Sequence, residues 1–280
     1  MEILQLINSG SKQLKNKEIC SHKLDSEILL SRVLNKTREE LLTNLDQIVS
    51  PNKINRFNTL LDRRSNKEPI AYILEEKEFW SKNFIVNESA LIPRPETELM
   101  VEKIVQNLHC KNAFILDIGT GTGCILISII SELKDAKGIG IDISNKAIKV
   151  ALQNLKKHKL SNRIRFLRKP LSDMYNYKFD LVVSNPPYII TKDIRNLEDD
   201  IKKFEPKLAL DGGNDGLDVI KKVIYKSRSI LKIKGMLALE IGNEQFKKVS
   251  KILRSNKFKT KYLVKDYREN VRCILSILEN

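Results

Sequence analysis

The first quarter of the chain spaces its apolar residues at helical intervals. In LDSEILLSRVLNKT, Leu24, Ile28, Leu29 and Val33 recur with a helical period. Thr37 and Glu40 have capping-box spacing ahead of Leu41 and Leu42. Ser50 followed by Pro51 reads as an N-cap and a first helical turn, opening NKINRFNTLLDRR. Residues 1–75 are therefore expected to form a small helical domain, free of glycine-rich loops and of any catalytic cluster. Residues 76–94 read as a hairpin and linker. There EFWSKNFIV places two short aromatic and β-branched runs around Ser-Lys-Asn. LIPRPETELMVEKIVQNL then gives a proline-rich loop and a helix with acids in its first turn, where the positive end of the dipole favours them.

From Ala113 the pattern changes to alternation. AFILDIG, KGIGIDIS, RIRFLRK, FDLVVSN, GMLALEIG, TKYLVKD and VRCILSIL are strand candidates. Helical stretches lie between most of them, over 124–133, 145–159, 217–231 and 243–256. Near-continuous apolar strands alternating with helices predict a buried, mostly parallel sheet covered on both faces, a doubly wound α/β domain over residues 95–280. The link YREN between the last two strands is too short for a crossover helix, so these two should pair antiparallel.

Composition narrows the classes. Of 280 residues, 41% are hydrophobic and 30% charged, enough for a substantial core, with no apolar run long enough to span a membrane. The N-terminus lacks the pattern of a secretory leader, and a cytoplasmic location is expected. Cys20, Cys110, Cys124 and Cys273 form no C-x-x-C pair, and His22, His109 and His158 are dispersed, so neither a disulfide framework nor a metal is expected. A net charge of +15 favours approach to polyanions, or equally reflects a lysine-rich solvated surface. No run such as NLKKHKL is long enough to be a nucleic-acid tail.

Candidate chemistry begins with ILDIGTGTGCILISII. Gly119, Gly121 and Gly123, with Thr120 and Thr122 between them, join a strand to a helix. Glycines there allow tight packing or let a ligand approach the backbone and the free N–H groups of a helix start. Asp142 closes the next strand nineteen residues after Gly123, where an acid can accept hydrogen bonds from both ribose hydroxyls. Asp117 precedes the first glycine and is expected to face the same crevice. A carboxylate is an awkward neighbour for a pyrophosphate and a suitable one for a cationic amino group and sulfonium. S-adenosylmethionine therefore fits better than a dinucleotide.

The strand FDLVVSN ends in Asn185-Pro186-Pro187-Tyr188, and prolines cannot continue a sheet ladder. Taken alone the string could be an ordinary turn. After the glycine loop and Asp142 it reads as a device for a planar nitrogen. Such a nitrogen has a delocalised lone pair and needs acceptors for its hydrogens as it rehybridises. The side-chain carbonyl of Asn185 and the main-chain carbonyl of Pro186 supply two. The prolines stiffen the loop, and Tyr188 offers an aromatic face to the flat group and to developing positive charge. Catalysis would come from positioning and fixed dipoles, with no nucleophile or metal.

EPIAYI, EFW, LIPRPETELMVE, LDIGTGTGCI, SNPPYI, FEPKLAL and GGNDGLD together resemble the release factor glutamine methyltransferases, within the class I S-adenosylmethionine-dependent methyltransferases. The likeness covers nearly all of the chain from Glu68 onward. It implies a seven-stranded sheet preceded by a helical domain that helps grip class I peptide-chain release factors. The target would be the side-chain amide of their Gly-Gly-Gln glutamine. By position, Asp117 and Gly119 to Gly123 would serve the methionine end of the cofactor, and Asp142 its ribose. Asn185, Pro186, Pro187 and Tyr188 would lie against the glutamine. Arg94 and Glu96 would flank the mouth, with Glu205 and Pro206 shaping the entrance.

One departure concerns IRFLRKPLSD, where an acid and an aromatic should clasp adenine. Lys169, Pro170 and Leu171 stand there instead, and the nearest carboxylate is Asp173. Leu171 can still wall the adenine face, or a shifted loop could bring Asp173 into the role. Two other functions use the same residues: an adenine methyltransferase acting on DNA or RNA, and an idle binding protein of the same fold. Against the first, Phe57 is the sole aromatic before Tyr72, which leaves little for base stacking. A monomer is expected, with no membrane partner and no direct nucleic-acid partner.

Overall fold

The computed structural model describes residues 1–280. They divide into two units, Met1–Glu75 with Glu198–Phe204, and Glu76–Leu197 with Glu205–Asn280.

The first unit contains α1 (Ile3–Lys15), α2 (His22–Leu34), α3 (Arg38–Leu42), α4 (Pro51–Ser65) and α5 (Ile70–Leu74). Its core is aliphatic with one ring, Leu6, Ile7, Leu29, Leu30, Leu41 and Leu61 closing around Phe57. The capping box forms: the Thr37 hydroxyl accepts from Glu40 N, and Glu40 accepts from Thr37 N. Ser50 caps α4 by position, but its side chain makes no capping bond. The expected buried face of α2 is wrong in part. Leu24 is 44% exposed, while Asp25 and Glu27 are buried. Both acids are paired, Asp25 with Arg64 and Glu27 with Arg38, each at 2.7 Å. Paired charges can sit inside where hydropathy alone would place them outside.

The second unit opens with a hairpin of β1 (Glu76–Phe79) and β2 (Lys82–Ile85). Its turn is Trp80-Ser81, both at positive φ, rather than Ser-Lys-Asn; Lys82 and Asn83 already pair with Phe79 and Glu78. Phe79 and Phe84 are buried in the main core, so the hairpin is built into this unit. Then follow α6 (Pro95–Asn107), β3 (Phe114–Ile118), α7 (Cys124–Glu132), β4 (Lys137–Asp142), α8 (Asn145–Lys157), β5 (Ile164–Arg168) and β6 (Phe179–Ser184). The remainder is α9 (Asp199–Phe204, of the first unit), α10 (Asp218–Ile230), β7 (Leu231–Glu240), α11 (Phe246–Ser255), β8 (Phe258–Lys265) and β9 (Val271–Leu278).

Seven strands form one sheet in the order β5-β4-β3-β6-β7-β9-β8. Pairing is parallel from β5 to β7 and antiparallel at β9, as the short link before β9 requires. Each face is apolar because both are covered. Ile115, Leu181 and Ala238 pack with residues of α6, α7 and α8, while Leu116, Val182 and Leu237 pack with residues of α10 and α11. Strand order reverses between β3 and β6, whose ends are in register at Ile118 and Ser184. The Ser184 hydroxyl donates to Ile118 O at 2.7 Å. The glycine loop and Asn185 thus emerge side by side, where open α/β sheets bind ligands.

β8 forms one edge of the sheet, with Lys259, Lys261 and Lys265 exposed along it. Residues 246–265 hold eight Lys and Arg and no acid, against a net charge of +15 for the whole chain. No helix is long and apolar enough to cross a membrane.

Candidate active site

A cavity of about 900 Å³ lies beyond the carboxyl ends of β3, β4 and β6. Gly119, Thr120, Gly121 and Thr122 line it together with Asp142, Leu171, Asn185 and Pro187. Gly119, Gly121 and Gly123 all have positive φ, between 54° and 80°. A Cβ on Gly119 would meet nothing within 4 Å, so the loop presents bare backbone to the cavity. The third glycine does something else. A Cβ on Gly123 would stand 2.6 Å from the Phe166 ring, which makes it a packing glycine that starts α7. Gly119 N and Thr120 N both donate to Ile141 O, at 2.9 and 3.0 Å. Buried Asn154 of α8, which sequence reading passed over, donates to Thr122 O at 2.9 Å and bonds Ile85 through both backbone groups.

Asp142 accepts from Gly121 N at 3.1 Å with one oxygen and from Ser144 N at 2.8 Å with the other. Burial raises its pKa, opposed by those backbone donors. Each oxygen keeps acceptor capacity for a second partner. Asp117 is not in the cavity wall. It lies fully buried beneath the loop, because β3 alternation turns it toward the face of Ile115. One of its oxygens accepts from the Thr120 hydroxyl at 2.5 Å and the other has no partner. Burial pushes its pKa up to about 7; the Thr120 hydrogen bond lowers it and the Asp142 charge raises it.

After β6 the chain is clamped from two sides. Ile189 N donates to Leu210 O at 3.0 Å, Gly212 N to Ile189 O at 2.8 Å, and Thr191 N to Gly213 O at 3.0 Å. The Gln245 amide donates to Tyr188 O at 3.0 Å and to Gly216 O at 3.1 Å. The Asn185 amide nitrogen faces α6 and β7: it donates to Thr97 Oγ1 over a long 3.4 Å and lies near enough to Glu240 to lower its pKa. The Thr97 hydroxyl in turn donates to Glu240 Oε2 at 2.6 Å. With its NH₂ end engaged there, Asn185 turns its carbonyl oxygen the other way, and the residue lines the cavity.

Besides Asp117 and Gly123, five expected residues lie outside the walls. Pro186 is buried behind them. The Tyr188 ring packs at the α10–α11 side of the sheet, with its hydroxyl accepting from Arg272 at 3.3 Å. Burial there pushes the phenol up to about 12. Glu96 is not among the lining residues, and its charge raises the Glu240 pKa. Glu205 is a buried staple, pairing Arg94 at 2.5 Å and accepting from Ile92 N at 3.3 Å. It leaves Arg94 and Pro206 as the lining residues of that pair of expectations. Asp173 is exposed and bonded to the Ser172 hydroxyl, so the loop has not shifted to bring it in. Lys169, Pro170, Leu171 and Ser172 line that side instead.

Residues 5–74 match the family profile described as the PrmC N-terminal domain, and residues 109–272 match that of a methyltransferase domain. A release factor glutamine methyltransferase of Clostridium acetobutylicum is 38% identical over 259 residues, covering 90% of each chain. One from Clostridium botulinum is 38% identical over 278 residues, covering 98% of each. The chain belongs to the release factor glutamine methyltransferase family. It is an S-adenosylmethionine-dependent methyltransferase. A crystal structure of a Pyrococcus furiosus methyltransferase shares the fold, with a TM-score of 0.55 and 14% identity over 81% of this chain and 99% of that one.

The cavity of this release factor glutamine methyltransferase family member fits its cofactor chemically. Bare glycine backbone admits close approach, and Asp142 offers acceptors suited to two vicinal hydroxyls. The unpartnered oxygen of Asp117 lies buried beneath the loop, outside the cavity wall.

Proposed function

We propose that this methyltransferase acts on the side-chain amide nitrogen of the glutamine in the Gly-Gly-Gln motif of class I peptide-chain release factors. When bound, S-adenosylmethionine supplies an electrophilic methyl carbon. Gly119, Thr120 and Gly121 would hold its amino-acid end with Asp117 below, Asp142 its ribose, and Leu171 an apolar face of adenine. The chain's own part in the transfer is geometric. The Asn185 side-chain carbonyl and the Pro186 main-chain carbonyl would accept the two amide hydrogens of the target and hold its nitrogen in line. No side chain has to titrate. Tyr188 would contribute through its backbone, clamped by Gln245, more than through its ring.

The observation that supports this reading best is the orientation of Asn185. Its NH₂ end is engaged by Thr97, whose own hydrogen goes to Glu240, which frees the oxygen as an acceptor beside the glycine loop. An amide turned the other way would be a donor, useless to an NH₂ target.

Methyl-labelled S-adenosylmethionine offered with purified release factor, a Gln→Ala release factor and duplex DNA decides it. Label is expected on the intact release factor alone. Asn185→Ala should lose transfer by on the order of a hundredfold while cofactor binding by calorimetry stays within about threefold. Label on DNA or on the Gln-less protein, or near-normal turnover by Asn185→Ala, would sink the reading.

A further inference from the structure

Glu240 ends β7 with a carboxylate that is 1% exposed and makes no ion pair. Arg272 acts on it only from a distance, and Glu96 adds a like charge. Burying a carboxylate without a close cation is costly, and an apolar residue of similar size is often the more stable choice. Fold stability alone therefore does not account for an acid at this position. What it does have is one donor, the Thr97 hydroxyl at 2.6 Å, with the Asn185 amide beyond that hydroxyl at 3.4 Å.

Thr97 belongs to the segment LIPRPETE, from which sequence reading selected Arg94 and Glu96. It sits in the first turn of α6, is 2% exposed, and lines the cavity beside Asn185. Its hydroxyl has one hydrogen, given to Glu240, and lone pairs that face the Asn185 amide. A hydroxyl that donates to a carboxylate is compelled to act as acceptor on its other side. Only the NH₂ end of an amide satisfies that acceptor. A flipped Asn185 would set its oxygen against the lone pairs of that hydroxyl.

We infer that Thr97 and Glu240 are positioning residues that lock the rotamer sense of the Asn185 amide, so that an acceptor oxygen always faces the target nitrogen. The inference rests on the functional reading above for its consequence in catalysis, but not for its geometry. Burial raises the Glu240 pKa and the Thr97 hydrogen bond lowers it, so the anchor rests on the geometry of that hydroxyl, whose hydrogen is given to Glu240 Oε2 at 2.6 Å. Three elements meet at this point: the start of α6, the end of β7 and the loop after β6. One hydroxyl and one carboxylate thus transmit the register of the scaffold to a single reacting contact.

Two measurements test it. In turnover, Thr97→Val and Glu240→Leu should each lower kcat by about tenfold or more. KM for S-adenosylmethionine should stay within about twofold, and Thr97→Ser should recover most of the rate. The thermal midpoint of Glu240→Leu should hold or rise, which a purely structural acid would not allow. Unchanged kcat in both variants overturns the inference, as does a loss in Glu240→Leu explained wholly by unfolding. The second measurement needs no substrate. The Asn185 side-chain NH₂ resonances, assigned by their loss in Asn185→Ala, should exchange with solvent more slowly than those of exposed Asn243. In Thr97→Val that exchange should accelerate. Equal exchange in wild type and Thr97→Val overturns the anchor. If wild type labels no release factor yet its Asn185 amide is protected, the functional reading falls and the anchor survives.

Discussion

Asp117 and Asp142 show how two carboxylates close together in a site come to differ. Asp142 takes two backbone donors, whereas Asp117 has one hydroxyl donor and an empty second oxygen. The folded Asp117 therefore keeps a proton up to about pH 7, while an unfolded Asp releases it near a pKa of roughly 3.9. Folding binds a proton between those values, so this group's stabilising share is full below about pH 4 and is lost as pH rises through about 7. Asp117→Asn should remove that slope: thermal midpoints would match wild type near pH 4 and exceed it at pH 8. A midpoint difference independent of pH would refute the assignment. Asp142 and Asn185 were legible in the sequence because each sits at a fixed offset from a strand end. Glu240 was not, since its partner Thr97 lies 143 residues away and nothing local marks the pair.

At the scale of elements, the glycines of GGNDGLD are there for the loop after β6. Gly216 has a φ of +72°, and a Cβ on it would fall 2.5 Å from Tyr188 O. On Gly212 a Cβ would lie 2.8 Å from Tyr188 Cα. Both obstacles are backbone, which cannot swing aside. Gly216→Ala should cost roughly 1–3 kcal/mol in urea unfolding, through backbone strain and overpacking. It should also lower turnover while cofactor affinity holds, because the glycine loop is braced separately by Ile141 and Asn154. The alternation of strands and helices was readable from hydropathy, and so was the antiparallel end. The errors have a common source. Leu24 shares the helical period of Leu29 and Val33 yet is exposed, while the acids inside α2 are neutralised by partners distant in the chain. The hairpin turn was displaced because Trp80 and Ser81, unusual residues for positive φ, make it.

For the whole molecule, strand order is what no periodicity reports. The placing of β3 between β4 and β6 brings Gly119 beside Asn185. The charge distribution was equally hidden, since a count of +15 does not say where the excess sits. Much of it lies over α11 and the outermost strand, β8. An outermost strand carries unpaired backbone groups ready to template another chain, and a row of lysines resists this. Replacing Lys259, Lys261 and Lys265 together with Gln should leave the chain folded by circular dichroism but raise light scattering on storage at high concentration. Unchanged scattering would show that the row has another purpose. The sheet therefore keeps its open flank by mutual repulsion between molecules, so colloidal behaviour should depend on ionic strength, and concentrated salt would bring neighbours into contact that dilute buffer holds apart.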